Sequence, residues 1–102
     1  MDKSIITIKQ AHSIENVISK SRFIAYIKPV STENEAKAFI DEIKTKHKDA
    51  THNCSAYTVG PEMNIQKAND DGEPSGTAGI PMLEILKKQE IHNVCVVVTR
   101  YF

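Results

Sequence analysis

The sequence predicts an α+β fold: a mixed or antiparallel sheet with two helices packed mainly on one face. Three observations point to it. The element signals run strands, helix, strands, helix, strand. One segment combines a capping box with a helical apolar period, and Val94-Cys95-Val96-Val97-Val98 is a continuous β-branched run.

Ile5, Ile6 and Ile8 suggest a loosely patterned first strand, and a second extended region follows around Ile14 to Ser19. From Arg22 the chain alternates, with Phe23, Ala25 and Ile27 on one face and Ile24, Tyr26 and Lys28 on the other. Pro29 disfavours helix at Lys28 and marks the exit from this strand. Thr32 and Glu35 then form a capping-box pattern. Ala36, Phe39, Ile40 and Ile43 follow at i, i+3, i+4 and i+7, which gives a helix one apolar face. Glu33–Lys37 and Glu42–Lys46 are favourably ordered i,i+4 pairs, and lysines gather at the helix's negative end.

Asn53 to Val59 reads as a strand ended by the Gly60-Pro61 turn, and Asn64 to Ala68 as a weaker one. A polar, small-residue loop from Asp70 to Gly79 precedes a short helix. Pro81 suits its first turn, and Met82, Ile85, Leu86 and Gln89 are expected to share a face. Val94 to Val98 is expected to be a central strand covered on both faces.

The 102 residues are expected to form one domain, with 40% hydrophobic and 25% charged residues placing the chain among ordinary globular proteins. The charges balance at 13 against 13, so no global field draws the chain to nucleic acid or an anionic membrane. No apolar run approaches a membrane span, and Met1-Asp2-Lys3-Ser4 lacks the apolar core of a signal peptide, so a cytoplasmic location is expected. Cys54 and Cys95 are expected to be buried free thiols.

Three segments together resemble the IMPACT/YigZ family: Lys20-Ser21-Arg22-Phe23-Ile24, the stretch from Asp70 to Leu83, and Val96-Val97-Val98-Thr99-Arg100-Tyr101-Phe102. Ala50-Thr51-His52-Asn53-Cys54-Ser55-Ala56-Tyr57 is similar to the family's middle strand. The resemblance implies a ribosomal-protein and translation-factor type of domain fold. It also implies an N-terminal family domain that stops before the Gly-Gly continuation of the Arg-Tyr-Phe motif, and so is C-terminally incomplete. The family's eukaryotic members regulate translation under amino-acid starvation by competing for the activating partner of an initiation-factor kinase. The expectation drawn from this is a non-enzymatic regulatory module of translation or the stress response, contacting RNA, the ribosome or a translation-related protein. No cofactor and no membrane are expected, and an exposed strand edge suggests a homodimer.

The residues expected to carry binding are Asp70, Asp71, Gly72, Glu73, Ser75, Gly76, Thr77 and Gly79 of the loop, with Arg100, Lys20 and Arg22. Amides of a Gly-rich loop opening onto a helix can cradle a phosphate, but the Gly-Lys-Ser/Thr ending of a P-loop is absent. Asp70, Asp71 and Glu73 would repel a phosphate unless a cation such as Mg²⁺ sat between them. That combination defines the alternative, a metal-assisted enzyme acting on a phosphorylated small molecule. The plainer reading is a turn with Thr77 or Ser75 capping the helix.

Arg100, beside Tyr101 and Phe102, suits phosphate or base stacking, or else an ion pair with one of the loop carboxylates, Asp70 or Asp71 for example. Lys44, Lys46, His47, Lys48 and His52 form a second basic cluster, readable as a nucleic-acid track or as a solvated helix end. His52 and Cys54 are spaced to share a strand face, with no third partner at a spacing that would complete a nucleophilic or metal site.

Overall fold

The computed structural model describes residues 9–74 and 76–102. The expected strand at Ile5, Ile6 and Ile8 lies outside them. The elements are β1 (His12–Ile18), β2 (Ser21–Pro29), α1 (Glu33–Lys46), β3 (His52–Val59), β4 (Ile65–Asn69), α2 (Gly79–Lys88) and β5 (Val94–Tyr101).

The five strands form one sheet in the order β1-β2-β5-β3-β4, with every neighbouring pair antiparallel. β5 holds the centre, as its unbroken apolar run requires. Val94, Cys95 and Val97 are fully buried.

The helices depart from the expected single face. Ala36, Phe39 and Ile43 of α1 pack on Tyr57, Val59, Cys95 and Val97. Leu83 and Leu86 of α2 pack on Ala56 and Val94, with Val96 and Ile27 alongside. Odd-numbered and even-numbered residues of β5 point to opposite sides, so the helices lie on opposite faces. The reason is β5 itself, since a strand apolar on both sides must be covered on both. α1 joins β2 to β3, and α2 joins β4 to β5 with both strand direction and lateral direction reversed. Helices on opposite faces therefore make one of the two crossovers left-handed, against the usual preference.

Locally, Thr32 caps α1 by accepting from the Glu35 amide at 3.1 Å. The Glu35 carboxylate reaches back one residue further than a standard capping box, to the Ser31 amide. Such a cap stabilises a helix by about 1 kcal/mol. The two expected i,i+4 charge pairs of α1 do not form among the described residues. Glu33 accepts from the Tyr57 hydroxyl instead, and the Lys46 ammonium lies over the Tyr26 ring.

α2 starts at Gly79, which puts Pro81 in its first turn, where a missing amide hydrogen leaves nothing unpaired. Its buried face is Gly79, Leu83 and Leu86, not the expected set, and Ile85 is 60% exposed. No helix among the described residues is long and apolar enough to cross a membrane.

Candidate functional site

The loop between β4 and α2 is organised around one carboxylate. Asp70 Oδ1 accepts from the amides of Ala78 (3.0 Å) and Gly79 (2.7 Å), and Oδ2 accepts from Gly76 (2.9 Å). The amide cradle at the start of α2 is thus filled by the protein's own anion. These bonds, from Gly76 and Gly79 above all, hold the Asp70 carboxyl below the usual range. The expected Thr77 cap does not form. Thr77 turns its hydroxyl back to the Pro74 carbonyl, Ser75 lies outside the described residues, and the N-cap position is Ala78 without a side-chain bond. Gly79 has its own steric reason, since a Cβ there would sit 2.6 Å from the Asn69 amide nitrogen.

Asp71, at φ 48°, turns the loop toward β3. Its carboxylate accepts from the Asn53 amide at 2.6 Å and lies 3.7 Å from the Lys44 ammonium. Its carbonyl is 2.8 Å from His52 Nδ1, so that nitrogen carries the proton. Gly72 follows at φ +90° beside the His52 ring.

Glu73 then meets Arg100. Nη1 lies 2.5 and 2.6 Å from the two carboxylate oxygens, and the Cys54 thiol donates to Oε2 at 2.8 Å. The expected ion pair of Arg100 with one of the loop carboxylates therefore forms, with Glu73 and not Asp70 or Asp71 as the partner. The Arg100 guanidinium also sits 5.2 Å from the Phe23 ring and 4.8 Å from the Phe102 ring, within cation–π range. Burial, reinforced by Glu73, pushes the Cys54 thiol up to about 12. It is a neutral donor at physiological pH, not a nucleophile. Burial likewise pushes Cys95, on the other face of the sheet, up to about 12, and both cysteines are free.

Lys20 and Arg22 do not join this site. In the β2–β5 register Phe23 faces Arg100 and Arg22 faces Tyr101, so alternation sends Arg22 and Arg100 to opposite sides of the sheet. Arg22 pairs with Glu15 and lies over the Tyr101 ring, and Lys20 is exposed in the β1–β2 turn. The second basic cluster also disperses. Lys44 faces Asp71, Lys46 covers Tyr26, and His47 is buried.

His47, read in the sequence only as part of that basic cluster, is instead buried and bridges two tyrosines. Nε2 lies 2.6 Å from the Tyr26 hydroxyl, and Nδ1 lies 2.6 Å from that of Tyr101. The Tyr101 hydroxyl donates to Asp49, so its oxygen accepts from Nδ1–H, and Nε2 accepts from Tyr26. Burial lowers the imidazole pKa, aided by Lys46 and Arg22 and opposed by Asp49 and Glu15. No local signal could have shown a bridge spanning 21 and 54 residues of sequence.

Every acid of the loop is thus bound to an internal amide, cation or thiol. Among the described residues no three His, Cys, Asp or Glu side chains converge as metal ligands.

Residues 19–102 match the family model described as the Impact N-terminal domain. YvyE of Bacillus subtilis, an IMPACT family member, is 62% identical over 97% of this chain, which spans 46% of that relative. A hypothetical protein of known crystal structure superposes with a TM-score of 0.86 at 37% identity, over 91% of this chain and 46% of that one. The two-domain translational regulator Yih1 superposes with a TM-score of 0.60 at 28% identity, over 91% of this chain and 36% of Yih1. With the family model matched over residues 19–102 and the fold shared with these relatives, the chain belongs to the IMPACT family, and residues 19–102 are its Impact N-terminal domain.

Proposed function

We propose that this domain is a non-enzymatic binding module of a translational regulator, and that its contact is with a protein of the translation apparatus. The kinship with Yih1 supports the translational setting. One observation carries the mode of action. The acids of the loop already have partners within the protein, whereas an apolar strip beside α2 faces outward. Ile14 is 68% exposed and Phe102 60%, and Phe23, Ala25 and Val98 lie half-buried between them. Contiguous exposed apolar surface is what protein partners cover, and the neutral net charge supports a protein over a polyanion.

A metal-assisted reaction at the loop finds less support, because Asp70, Asp71 and Glu73 already have internal partners. The test is ribosome and total-RNA binding across a salt series, with Ile14→Lys and Lys20→Ala/Arg22→Ala variants. Protein contact through the strip gives ribosome binding that changes little with salt and is lost in Ile14→Lys. Binding to naked RNA that falls steeply with salt and is lost in the Lys20/Arg22 variant would overturn it.

A further inference from the structure

The two outer strands of the sheet are protected very differently. β4 is five residues long, carries Lys67 at its middle, and has its large apolar residue Ile65 half-buried against the α1 cluster. β1 is seven residues long, contains neither proline nor lysine, and runs in unbroken register along β2. Ile14, Val17 and Ile18 are 68%, 66% and 62% exposed, and the alternation puts them on both faces of the strand. Its one acid, Glu15, is already paired with Arg22. Edge strands normally carry a free charge, a proline or a bulge that discourages further pairing, and β1 has none of these.

We propose that β1 pairs with β1 of a second copy of this chain, antiparallel about a two-fold axis at Asn16. The strand's self-complementarity argues for this occupant. A two-fold axis normal to the sheet keeps every side chain on its own face, so the register must be centred on a residue. Centring on Glu15 sets two carboxylates directly opposite, which is destabilising. Centring on Ile14 or on Val17 leaves one isoleucine facing a position beyond the end of β1. Centring on Asn16 sets Ile14 against Ile18 of the partner subunit, twice by symmetry, with an amide facing its own copy between them.

Charge favours the same register. On the opposite face Val17 meets the partner's Glu15. Arg22 flanks Val17 on the other side, so its guanidinium, which reaches Glu15 diagonally, also stands one strand away from the partner's Glu15. No like charges oppose one another across the seam, and the chain's balanced charge adds no long-range repulsion. A single ladder from Ile14 to Ile18 is smaller than a standard interface, so the dimer is weak, with a dissociation constant on the order of 100 µM. It joins the two sheets into one and sets the outward apolar strips of both copies on one face. This pairing is independent of the partner protein proposed above, since the purified chain alone displays it.

The test is sedimentation velocity of the purified chain from about 10 µM to about 1 mM, a range that brackets this constant. The expected result is a rise from monomer toward dimer across the series. Asn16→Asp and Asn16→Lys, at an exposed position, each set like charges face to face at the axis. Each should weaken association at least about tenfold, and an equimolar mixture of the two should restore it, because Asn16 meets only its own copy. Phe102→Asp, on the strip and away from the edge, should leave association unchanged. A parent chain that is monomeric at the highest concentration would overturn the proposal. So would association undisturbed by either Asn16 substitution, no recovery in the mixture, or loss of association in Phe102→Asp, which would place the contact face to face on the strip.

Discussion

Arg100 and Glu73 form a two-oxygen contact at 2.5 and 2.6 Å, and one of those oxygens also takes the Cys54 thiol hydrogen. The pair locks the β4–α2 loop to the central strand. Glu73→Ala leaves a guanidinium and a thiol without their acceptor. The expected loss is about 3 kcal/mol, the low end for breaking a buried pair because Arg100 is 24% exposed. Urea unfolding measures it, and a loss below about 1 kcal/mol would mean that the pair behaves as a solvent-screened surface contact.

Asp70 caps α2 from outside the helix, and its carboxyl is held below the usual range by the Gly76, Gly79 and Ala78 amides. A depressed folded pKa contributes stability above the unfolded carboxyl value, near pH 4, which disappears as pH falls through the lower folded value. Asp70→Ala is expected to lower the thermal midpoint at pH 7 and to flatten this acid-side decline. Melting curves between pH 2 and pH 7 check it, and a variant curve parallel to that of the unmodified protein would count against the cap.

His47 is expected to titrate in the opposite part of the range. Its folded pKa lies below the ordinary value of 6.5, so its neutral form stabilises the fold above pH 6.5. That contribution diminishes as pH falls from 6.5 toward the folded value and is constant below it. His47→Gln should remove this dependence. Tyr26→Phe should cost about 1 kcal/mol by deleting the hydroxyl that bonds Nε2. NMR titration of the imidazole reads the pKa directly, and a value at or above 6.5 would refute the assignment.

Gly79→Ala tests the close passage of α2 over β4. The added Cβ would meet the Asn69 amide nitrogen at 2.6 Å and its carbonyl carbon at 2.8 Å, backbone atoms that cannot rotate aside. A loss of about 1–3 kcal/mol is expected, the range for overpacking, in spite of alanine's better helix propensity. A variant as stable as the parent in urea would show that the helix shifts freely.

What could be read in the sequence was whatever local chemistry decides. α1 was visible because Thr32, Glu35 and the Ala36–Ile43 period lie within one stretch of chain. The central place of β5 was visible because its apolar run needs cover on both sides. α2 was legible only in part: Met82 and Leu86 pack on the sheet as expected, but Leu83 takes the place given to Ile85, which is apolar yet 60% exposed.

The site was harder for the same reason. Which of Asp70, Asp71 and Glu73 reaches Arg100 depends on the turn through positive φ at Asp71 and Gly72. That Arg22 and Arg100 part company depends on the β2–β5 register. Neither relation has a short-range signature.

β5, the last of the five described strands to be synthesised, occupies the middle of the sheet, and this orders events during synthesis. As the chain leaves a ribosome, β1–β2 and β3–β4 can each pair as hairpins, but the edges of β2 and β3 that will flank β5 stay open. Two-stranded ribbons of this kind are only marginally stable, and their bare edges are templates for wrong partners. Val94 to Tyr101 must clear the exit tunnel before either apolar cluster can close, because each cluster is built on β5 side chains.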